Sequence, residues 1–396
     1  MVSITVDKAP RTLLVACFLA WKALLLTIAI ISPQPGYDTS TRLLFKGHGI
    51  RNVEVSSPDV YSPPGTHAPA QGLPDLVMRL LLALTRWDTI YFASIAERGY
   101  VYEQEWAFGW GFLKFLSFLG TNIPLTTEKL YNVLIHGIIL ANVSHLISII
   151  LLFQLALALQ TSASNGKVYF AFICAALHIF TPAGIFLVAP CPEALFSLLS
   201  FAGYLLYVYS WIDTGLQYHG PIQDLYLILS GFCFGLAATV RGNGLLSGII
   251  YFYDALIWLI VSAERLVRIR VFNISALRPE LHAQLSSIRQ RRLPATVTAG
   301  MLVGIGFAGP QYIAFQQFCG SHILEKRPWC HAFPPSIYSW VQSHYWNVGF
   351  LSLLSCQTYN EHAFLHPETK SEAPDQDRNA KGLQDNMDFD INRAFE

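Results

Sequence analysis

Charge is scarce in this sequence. Of its 396 residues, 13% are charged and 53% are hydrophobic, and the 26 basic and 26 acidic residues cancel to a formal net charge of zero. A chain without a basic excess lacks the electrostatic footprint of a nucleic-acid-binding protein, so we expect no nucleic-acid partner. A chain this apolar is also unlike an ordinary soluble domain.

Metal-ligand patterns are missing as well. The 7 cysteines and 12 histidines form no pair of motifs at metal-ligand spacing, so we expect no bound metal. Cys17, Cys174 and Cys233 lie in apolar stretches, where a cysteine is usually a small hydrophobic residue.

Long apolar stretches dominate instead, and several reach the roughly 20 residues that cross a bilayer. We predict spans at 12–31, 130–159, 168–189, 193–212, 224–240, 245–262 and 295–315, with another beginning near 346. The pattern predicts an all-α polytopic membrane protein of about seven to eight transmembrane helices. We assign residues 1–355 to the membrane domain and 356–396 to a polar, disordered tail.

Arginines concentrate in one connection, residues 263–293, and such a bias marks the cytosolic side of a membrane. Counting spans outward from this basic loop predicts that the connections at 33–129 and 316–345 are lumenal. The Pro190–Pro192 turn and the Arg241–Gly244 turn fall on the same side.

The lumenal segment 33–129 carries the most informative polar window. Residues 56–74 are rich in Pro, Gly and Ser and predict a flexible insertion. From Asp75 the apolar residues repeat at helical spacing, which predicts an amphipathic interfacial helix that presents Asp88 at its end. The stretch from Trp106 to Leu119 is too short to span and is predicted to lie in the interface.

The segment 86–112 combines aromatic residues with four carboxylates, those of Asp88, Glu97, Glu103 and Glu105. Aromatic faces pack on sugar C–H surfaces and carboxylates accept protons from hydroxyls, so the window predicts a sugar site with Asp88 at its chemical centre. Each residue also has a structural alternative: a helix cap for Asp88, a solvated loop for Glu103 and an interfacial aromatic belt for Trp87 and Trp106.

Further candidates follow along the chain on the predicted lumenal side. Glu193 stands at the start of a helix, where it serves either the site or the helix dipole. Arg241 and Asn243 lie in a glycine-rich turn. An arginine there offers a planar fork for phosphate, or else the turn is a plain connection whose arginine extends its charge to the membrane surface. Cys319 and Cys330 would face an oxidising lumen, where a disulfide between them is allowed but not established by spacing.

Four segments, in this order, resemble the GPI mannosyltransferase 2 family (PIG-V type). They are WDTIYFASIAERGYVYEQEWAFGWG, TPAGIFLVAPCPEALFSLL followed by SFAGYLLY, ATVRGNGLL, and RPWCHAFPPSIYSWVQSHYWNVGFL. The resemblance covers most of the chain from about Leu80 to Leu351. It implies the GT-C architecture in the endoplasmic reticulum membrane, with the active site in the lumen. It also implies transfer of the second, α-1,6-linked mannose from dolichyl-phosphate mannose to the glycosylphosphatidylinositol (GPI) precursor.

The resemblance assigns roles to single residues. The family's Trp-Asp element falls on Trp87 and Asp88, its Glu-Gln element on Glu103 and Gln104, and its Arg-Pro-Trp-Cys element on Arg327 to Cys330. Asp88 is expected to be the general base. Together with the candidates identified from the residues themselves, the residues expected to bind substrates are Trp87, Glu103, Gln104, Trp106, Glu193, Arg241, Asn243, Arg327 and Trp329.

The donor implied by the resemblance agrees with what the sequence lacks. No soluble nucleotide-binding domain is visible, and the single Asp-x-Asp, Asp388 to Asp390, lies in the polar tail. These absences favour a lipid-phosphate donor over a metal-bound nucleotide sugar, and we expect no cofactor beyond the donor itself. The expected partners are this lipid-linked donor, the GPI-lipid acceptor and a small membrane helper subunit.

The chain departs from the family after Leu351, where relatives continue into further membrane helices. We expect these helices to be absent here through a truncated or misread gene. Three rival functions stay open: another GT-C glycosyltransferase, a polytopic transporter and a non-catalytic membrane subunit. No internal repeat of the transporter kind is visible.

Overall fold

The computed structural model describes residues 9–32, 40–46, 74–160, 166–212, 220–271, 279–320 and 327–345. Most of the insertion predicted at 56–74, the span predicted near 346 and the tail predicted at 356–396 lie outside the described residues.

The described residues form helices joined by short connections. In chain order the α-helices are α1 (Pro10–Ile31), α2 (Thr41–Lys46), α3 (Asp75–Leu84), α4 (Asp88–Arg98), α5 (Trp110–Asn122), α6 (Lys129–Leu159), α7 (Lys167–Ile179), α8 (Glu193–Tyr209), α9 (Pro221–Val240), α10 (Ile249–Val271), α11 (Pro279–Cys319) and α12 (Ile337–His344). Short 3₁₀ helices cover Glu103–Ala107, Gly184–Leu187, Gly242–Gly248 and Pro328–His331. No strand occurs within these described ranges.

Among the described residues, five helical stretches are long and apolar enough to cross a membrane: Pro10–Ile31, Lys129–Leu159, Pro221–Val240, Gly242–Ile260 and Arg292–Cys319. Two shorter apolar helices, Lys167–Ile179 and Glu193–Tyr209, accompany them. The prediction of an all-α polytopic membrane protein is therefore confirmed.

Small residues let the central helices α9 and α11 approach closely. A Cβ atom on Gly231 would lie 2.4 Å from the Cα of Ala299, and one on Gly306 would lie 2.1 Å from the carbonyl oxygen of Gly235. Such contacts stabilise helix pairs in membranes, where lipid competes for every larger apolar side chain. The pair α9–α11 is consequently the rigid support for the Arg241 turn, which follows α9 directly.

Two predictions about the elements were wrong. The span predicted at 168–189 ends at Ile179, because Pro182 cannot continue a helix. The chain then crosses to α8 through residues 180–192, which we call the 180–192 connection. The basic connection predicted at 263–293 lies between the apolar stretches that end at Ile260 and begin at Arg292, and within it α10 extends to Val271 and α11 begins at Pro279.

The second correction concerns Asp88. The amphipathic helix α3 ends at Leu84, and Asp88 instead opens the next helix, α4. The following segment, predicted to be interfacial, folds as a 3₁₀ helix and α5, whose Phe112, Leu113 and Leu116 are buried in the core beneath α4.

Candidate functional site

The chain turns sharply just before Asp88. Trp87 has φ of 51°, the one positive value at a non-glycine residue in the described part of the chain, and such a conformation is uncommon and often found at functional sites. The turn leaves the Trp87 side chain 57% exposed. Thr89 and Ile90 are buried and anchor the start of α4, so Asp88 is held at an exposed position on a fixed helix end.

Side chains from three other elements meet at this helix end. The Thr89 hydroxyl and the Cys191 thiol are 3.3 Å apart, which ties α4 to the 180–192 connection. Glu193, the first residue of α8, forms an ion pair with Arg241, which follows the last residue of α9. Trp87, Asp88, Cys191, Glu193 and Arg241 together are called the Asp88 site.

Electrostatics distinguish Asp88 from an ordinary surface carboxylate. Its side chain is open to solvent, yet the surrounding protein removes part of its hydration and so raises its pKa, while the positive charge of Arg241 acts in the opposite direction. Burial raises the pKa of the neighbouring Cys191 thiol to about 12, so this cysteine is a neutral packing group. The site therefore contains the exposed carboxylate of Asp88 under the influence of the partly exposed Arg241 cation, which is paired with Glu193.

Two glycines before and at the start of α5 pack closely against the residues that precede Arg241. A Cβ on Gly109 would lie 1.7 Å from the Val240 carbonyl oxygen, and one on Gly111 would lie 2.1 Å from the Thr239 hydroxyl. The entry to α5 therefore lies directly against the end of α9. Asn243, in the same turn as Arg241, is exposed.

Glu103 lies in a second, separate group. Its carboxylate accepts hydrogen bonds from Trp329 Nε1 at 3.1 Å, Trp340 Nε1 at 3.3 Å and the Tyr345 hydroxyl at 3.3 Å, and it pairs with Arg327 Nε at 3.2 Å. Glu103 is 6% exposed and Trp329 is 3% exposed. We call these five residues the Glu103 cluster, and its carboxylate serves to bind the segment 327–345 to the rest of the protein.

The residues around Glu103 are also largely internal. Trp106 is 6% exposed and stacks on Tyr100 with ring centroids 4.4 Å apart. Glu105 is 1% exposed, forms an ion pair with Arg98 and accepts hydrogen bonds from the Val101 and Tyr102 amides. Gln104, between them, is half-buried. Two of the four carboxylates in the predicted sugar window thus organise the loop itself.

A disulfide joins Cys319, at the end of α11, to Cys330. The two Cα atoms are 5.6 Å apart, and the bond brings the 3₁₀ helix that carries Trp329 back to the membrane helix. It therefore supports the Glu103 cluster covalently. Among the described residues, no group of three or more His, Cys, Asp or Glu side chains is arranged to hold a metal ion.

A cavity of about 230 Å³ lies far from these groups. Its walls include Tyr207 and Arg292, which lie at the end of the bundle remote from Asp88, since α8 runs from Glu193 beside the site to Tyr209 at its other end. Arg292 lies 4.0 Å from Asp254 and donates to the Ser210 carbonyl at 2.7 Å. These contacts join helices, and none of the predicted site residues lines the cavity.

The sequence-predicted residues thus divide into two sets. Trp87, Asp88, Glu193 and Arg241 meet in the Asp88 site, and Glu103, Arg327 and Trp329 meet in the Glu103 cluster. Sequence reasoning missed the contact of Cys191 with Thr89. Its one signal was the Pro-Cys-Pro-Glu run, which placed Cys191 two residues before a candidate acid.

Comparison with known proteins identifies related sequences. The sequence profile of a family described as Mannosyltransferase (PIG-V) matches residues 41–367. GPI mannosyltransferase 2 of Aspergillus oryzae is 36% identical over 335 residues, which cover 84% of this chain and 65% of the relative. The proteins of the same name from Aspergillus fumigatus and Chaetomium globosum are 35% and 34% identical, over 87% and 86% of this chain and over 63% and 69% of their own lengths.

The chain therefore spans just under two thirds of the length of the two Aspergillus relatives. No solved structure is significantly similar to it.

Proposed function

This chain belongs to the mannosyltransferase (PIG-V) family, and from that membership we infer that it transfers mannose in GPI-anchor biosynthesis. We propose that it takes mannose from dolichyl-phosphate mannose and adds the second, α-1,6-linked mannose to the GPI precursor. Relatives that are named GPI mannosyltransferase 2 and match most of this chain support the assignment. On this proposal the protein works in the endoplasmic reticulum membrane with the Asp88 site in the lumen, together with a small membrane helper subunit.

The observation that carries the proposal is the pairing of an exposed carboxylate with a nearby cation in the Asp88 site. A β-linked donor and an α-linked product require inversion at the anomeric carbon, which a single in-line displacement accomplishes. The acceptor 6-hydroxyl attacks that carbon, its proton passes to Asp88, and the bond to the dolichyl phosphate breaks. A raised pKa makes Asp88 a stronger base than an ordinary aspartate once the side chain is ionised.

Arg241 is the better candidate to stabilise the departing phosphate. Its side chain is 40% exposed, and its charge acts directly on Asp88. Arg327 is 59% exposed but is bound to Glu103, in the other polar group. A guanidinium held by Glu193 keeps a fixed direction and still has N–H donors for phosphate oxygens, on which charge grows in the transition state.

The aromatic residues divide by exposure. Trp87 is exposed, and its ring is free to pack on a sugar face beside Asp88. Trp106 and Trp329 are buried, so we assign them to the support of the site rather than to direct sugar contact. Gln104 is half-buried and Asn243 is exposed, so the substrate contacts predicted for both residues stay predictions.

The test is expression of the full chain in cells that lack their second GPI mannosyltransferase. We expect the one-mannose GPI intermediate to disappear and larger precursors to return. Asp88→Asn and Arg241→Gln should each abolish this recovery while the protein is still inserted in the membrane. Glu128→Gln is the matched control, since Glu128 is an exposed acid that precedes α6 outside the Asp88 site, and it should behave like the parent.

Two outcomes would contradict the proposal. An active Asp88→Asn variant would remove Asp88 as the base. The one-mannose intermediate could persist although the parent chain is present in the membrane, while a different lipid-linked intermediate disappears. This result would assign the chain to another glycosyltransferase reaction.

A further inference from the structure

A lysine is buried among the membrane helices at a distance in sequence from every residue of the Asp88 site. Lys22 lies within α1, a helix long and apolar enough to cross a membrane, and is 5% exposed. An ionisable side chain inside such a helix is costly to bury and therefore suggests a function. The proposed reaction does not use Lys22, so its burial has another physical reason.

The Lys22 ammonium supports the 180–192 connection. Its Nζ donates to the carbonyl oxygen of Leu187 at 2.7 Å. Leu187 is the last residue of the 3₁₀ helix Gly184–Leu187, and carbonyl groups at a helix end lack a partner within the helix and attract positive charge. A lysine has the reach and the charge to satisfy this group from a neighbouring helix.

Residues one turn apart on α1 complete the support. A Cβ on Gly184 would lie 3.3 Å from Trp21 Nε1 and 3.2 Å from Leu25 Cδ1, so the connection lies directly on this face of α1. The rings of Trp21 and Phe180 are 5.4 Å apart, edge to face. Trp21, Lys22 and Leu25 therefore form one continuous surface beneath the connection.

Helix α6 supports the same connection from a second direction. Asn142 Nδ2 approaches the Val188 carbonyl oxygen at 3.4 Å. A Cβ on Gly137 would lie 2.4 Å from Pro190 Cβ, so these two backbones are in close contact. The 180–192 connection is thus held in place by two membrane helices, α1 and α6.

The other side of the connection contacts the Asp88 site. The Phe186 ring lies 6.1 Å from the ring of Trp87, and the Cys191 thiol lies 3.3 Å from the Thr89 hydroxyl. Glu193, directly after the connection, holds Arg241. A displacement of residues 184–191 would therefore move the residues on both sides of Asp88 together with the cation that acts on it.

We propose that Lys22 is a positioning residue for mannosyl transfer, which acts through the 180–192 connection on Trp87, Asp88 and Arg241. The inference rests on the proposed function for its kinetic consequence, but not for its structural one. Lys22 touches no substrate, because its side chain is buried under the connection. Its contribution is the alignment of the Asp88 site, and misalignment of about 1 Å costs on the order of 100-fold in rate.

The kinetic test compares Lys22→Met with Lys22→Arg in membranes that contain the full chain. The methionine keeps the length and apolar stem of lysine but has no donor for Leu187, so kcat should fall by about 10- to 100-fold with KM for the donor within about twofold. The arginine keeps charge and reach and should recover most of the rate. Lys167→Met, at the first residue of α7 and away from the connection, is the matched control and should leave both constants unchanged.

A second measurement does not depend on activity. Cys191 is buried, and it can be made the only free thiol by serine replacement of Cys17, Cys174, Cys233 and Cys356. Lys22→Met should increase its rate of alkylation by N-ethylmaleimide by about tenfold or more because the connection loosens, and Lys22→Arg should not. Gly137→Ala, whose Cβ would lie 2.4 Å from Pro190 Cβ and so must displace the connection without removing a charge, should have the same effect as Lys22→Met and replaces it should that variant fail to fold.

An alkylation rate in Lys22→Met equal to that of the parent would overturn the inference, whatever the activity. Faster alkylation in Lys22→Met, in a chain whose parent transfers no mannose, would support the structural role of Lys22 beneath the connection and contradict the proposed function. Faster alkylation with an unchanged kcat would overturn the link between the connection and catalysis.

Discussion

Removal of the Glu103 carboxylate is expected to destabilise the protein strongly. Glu103→Ala would leave the N–H groups of Trp329 and Trp340 and the hydroxyl of Tyr345 without their acceptor, and would release Arg327. These residues all belong to the segment 327–345. The predicted effect is therefore the release of this segment from the 3₁₀ helix Glu103–Ala107.

The size of the effect follows from burial. Trp329 is 3% exposed, so its hydrogen bond to a charged acceptor is worth about 1.5–3 kcal/mol. The bonds from Trp340 and Tyr345, both half-buried, contribute about 1 kcal/mol each. Arg327 is 59% exposed, and solvent screening reduces its ion pair to about 0–1 kcal/mol. We expect a loss of about 3.5–6 kcal/mol in the free energy of unfolding.

The assay is the apparent melting temperature of the full chain in detergent, measured as the folded fraction that survives heating. Glu103→Ala should lower it by about 4–8 °C, since the shift per kcal/mol decreases as chains lengthen. Glu103→Gln keeps the shape but presents an amide to several donors, and it should produce a smaller fall. Glu128→Gln should leave the melting temperature unchanged. A fall below about 1 °C for Glu103→Ala would refute the structural role, and Glu103 would then return to the candidates for substrate binding.

Two further predictions concern pH and backbone packing. Asp88 must be ionised to act as base and its pKa is raised, so the transfer rate should fall as pH drops through a value above the pKa of an ordinary aspartate. A rate that falls only at or below that ordinary pKa would contradict the assignment. The same raised pKa means that the ionised form of Asp88 is disfavoured in the folded protein. Any stability that Asp88 contributes is therefore present at low pH and is lost as pH rises through the folded pKa. Asp88→Asn should accordingly be no less stable than the parent at neutral pH. Gly109→Ala should lower both the mannose transfer rate and the melting temperature, because its Cβ would lie 1.7 Å from the Val240 carbonyl oxygen. Gly304→Ala, whose Cβ would have no atom within 4 Å, should change neither. Equal behaviour of the two variants in the thermal and GPI-lipid assays would refute the close contact.

The structure also changes the reading of the polar window. The density of carboxylates and aromatics suggested one sugar site across 86–112. The carboxylate oxygens of Glu103 and Glu105, however, accept hydrogen bonds from groups inside the protein. A buried carboxylate needs several donors to offset its lost hydration, and the loop supplies them from its own amides and from the segment 327–345. Of the four acids in the window, Asp88 is the one that is exposed at a helix start and lies under the electrostatic influence of Arg241.

Local rules explain what the sequence alone predicted well. Long apolar runs predict membrane helices, because a backbone in lipid must satisfy its hydrogen bonds within the segment. The order of the Trp-Asp, Arg-Gly-Asn-Gly and Arg-Pro-Trp-Cys segments indicated the family, and the match over residues 41–367 confirms it. Element ends were less reliable, as the loss of helix after Ile179 shows, because hydropathy continues through Pro182 while helical hydrogen bonding does not.

The sequence by itself determined the helical membrane architecture, the family and the identity of Asp88 as the candidate base. Each of these depends on composition or on residues that are neighbours in the chain. Tertiary structure alone decided that Glu193 pairs with Arg241, that Glu103 binds the segment 327–345 and that Lys22 supports Leu187 from 165 residues away. The physical reason is that the cost of a buried charge depends on which donors and acceptors surround it, and packing of distant helices sets those partners.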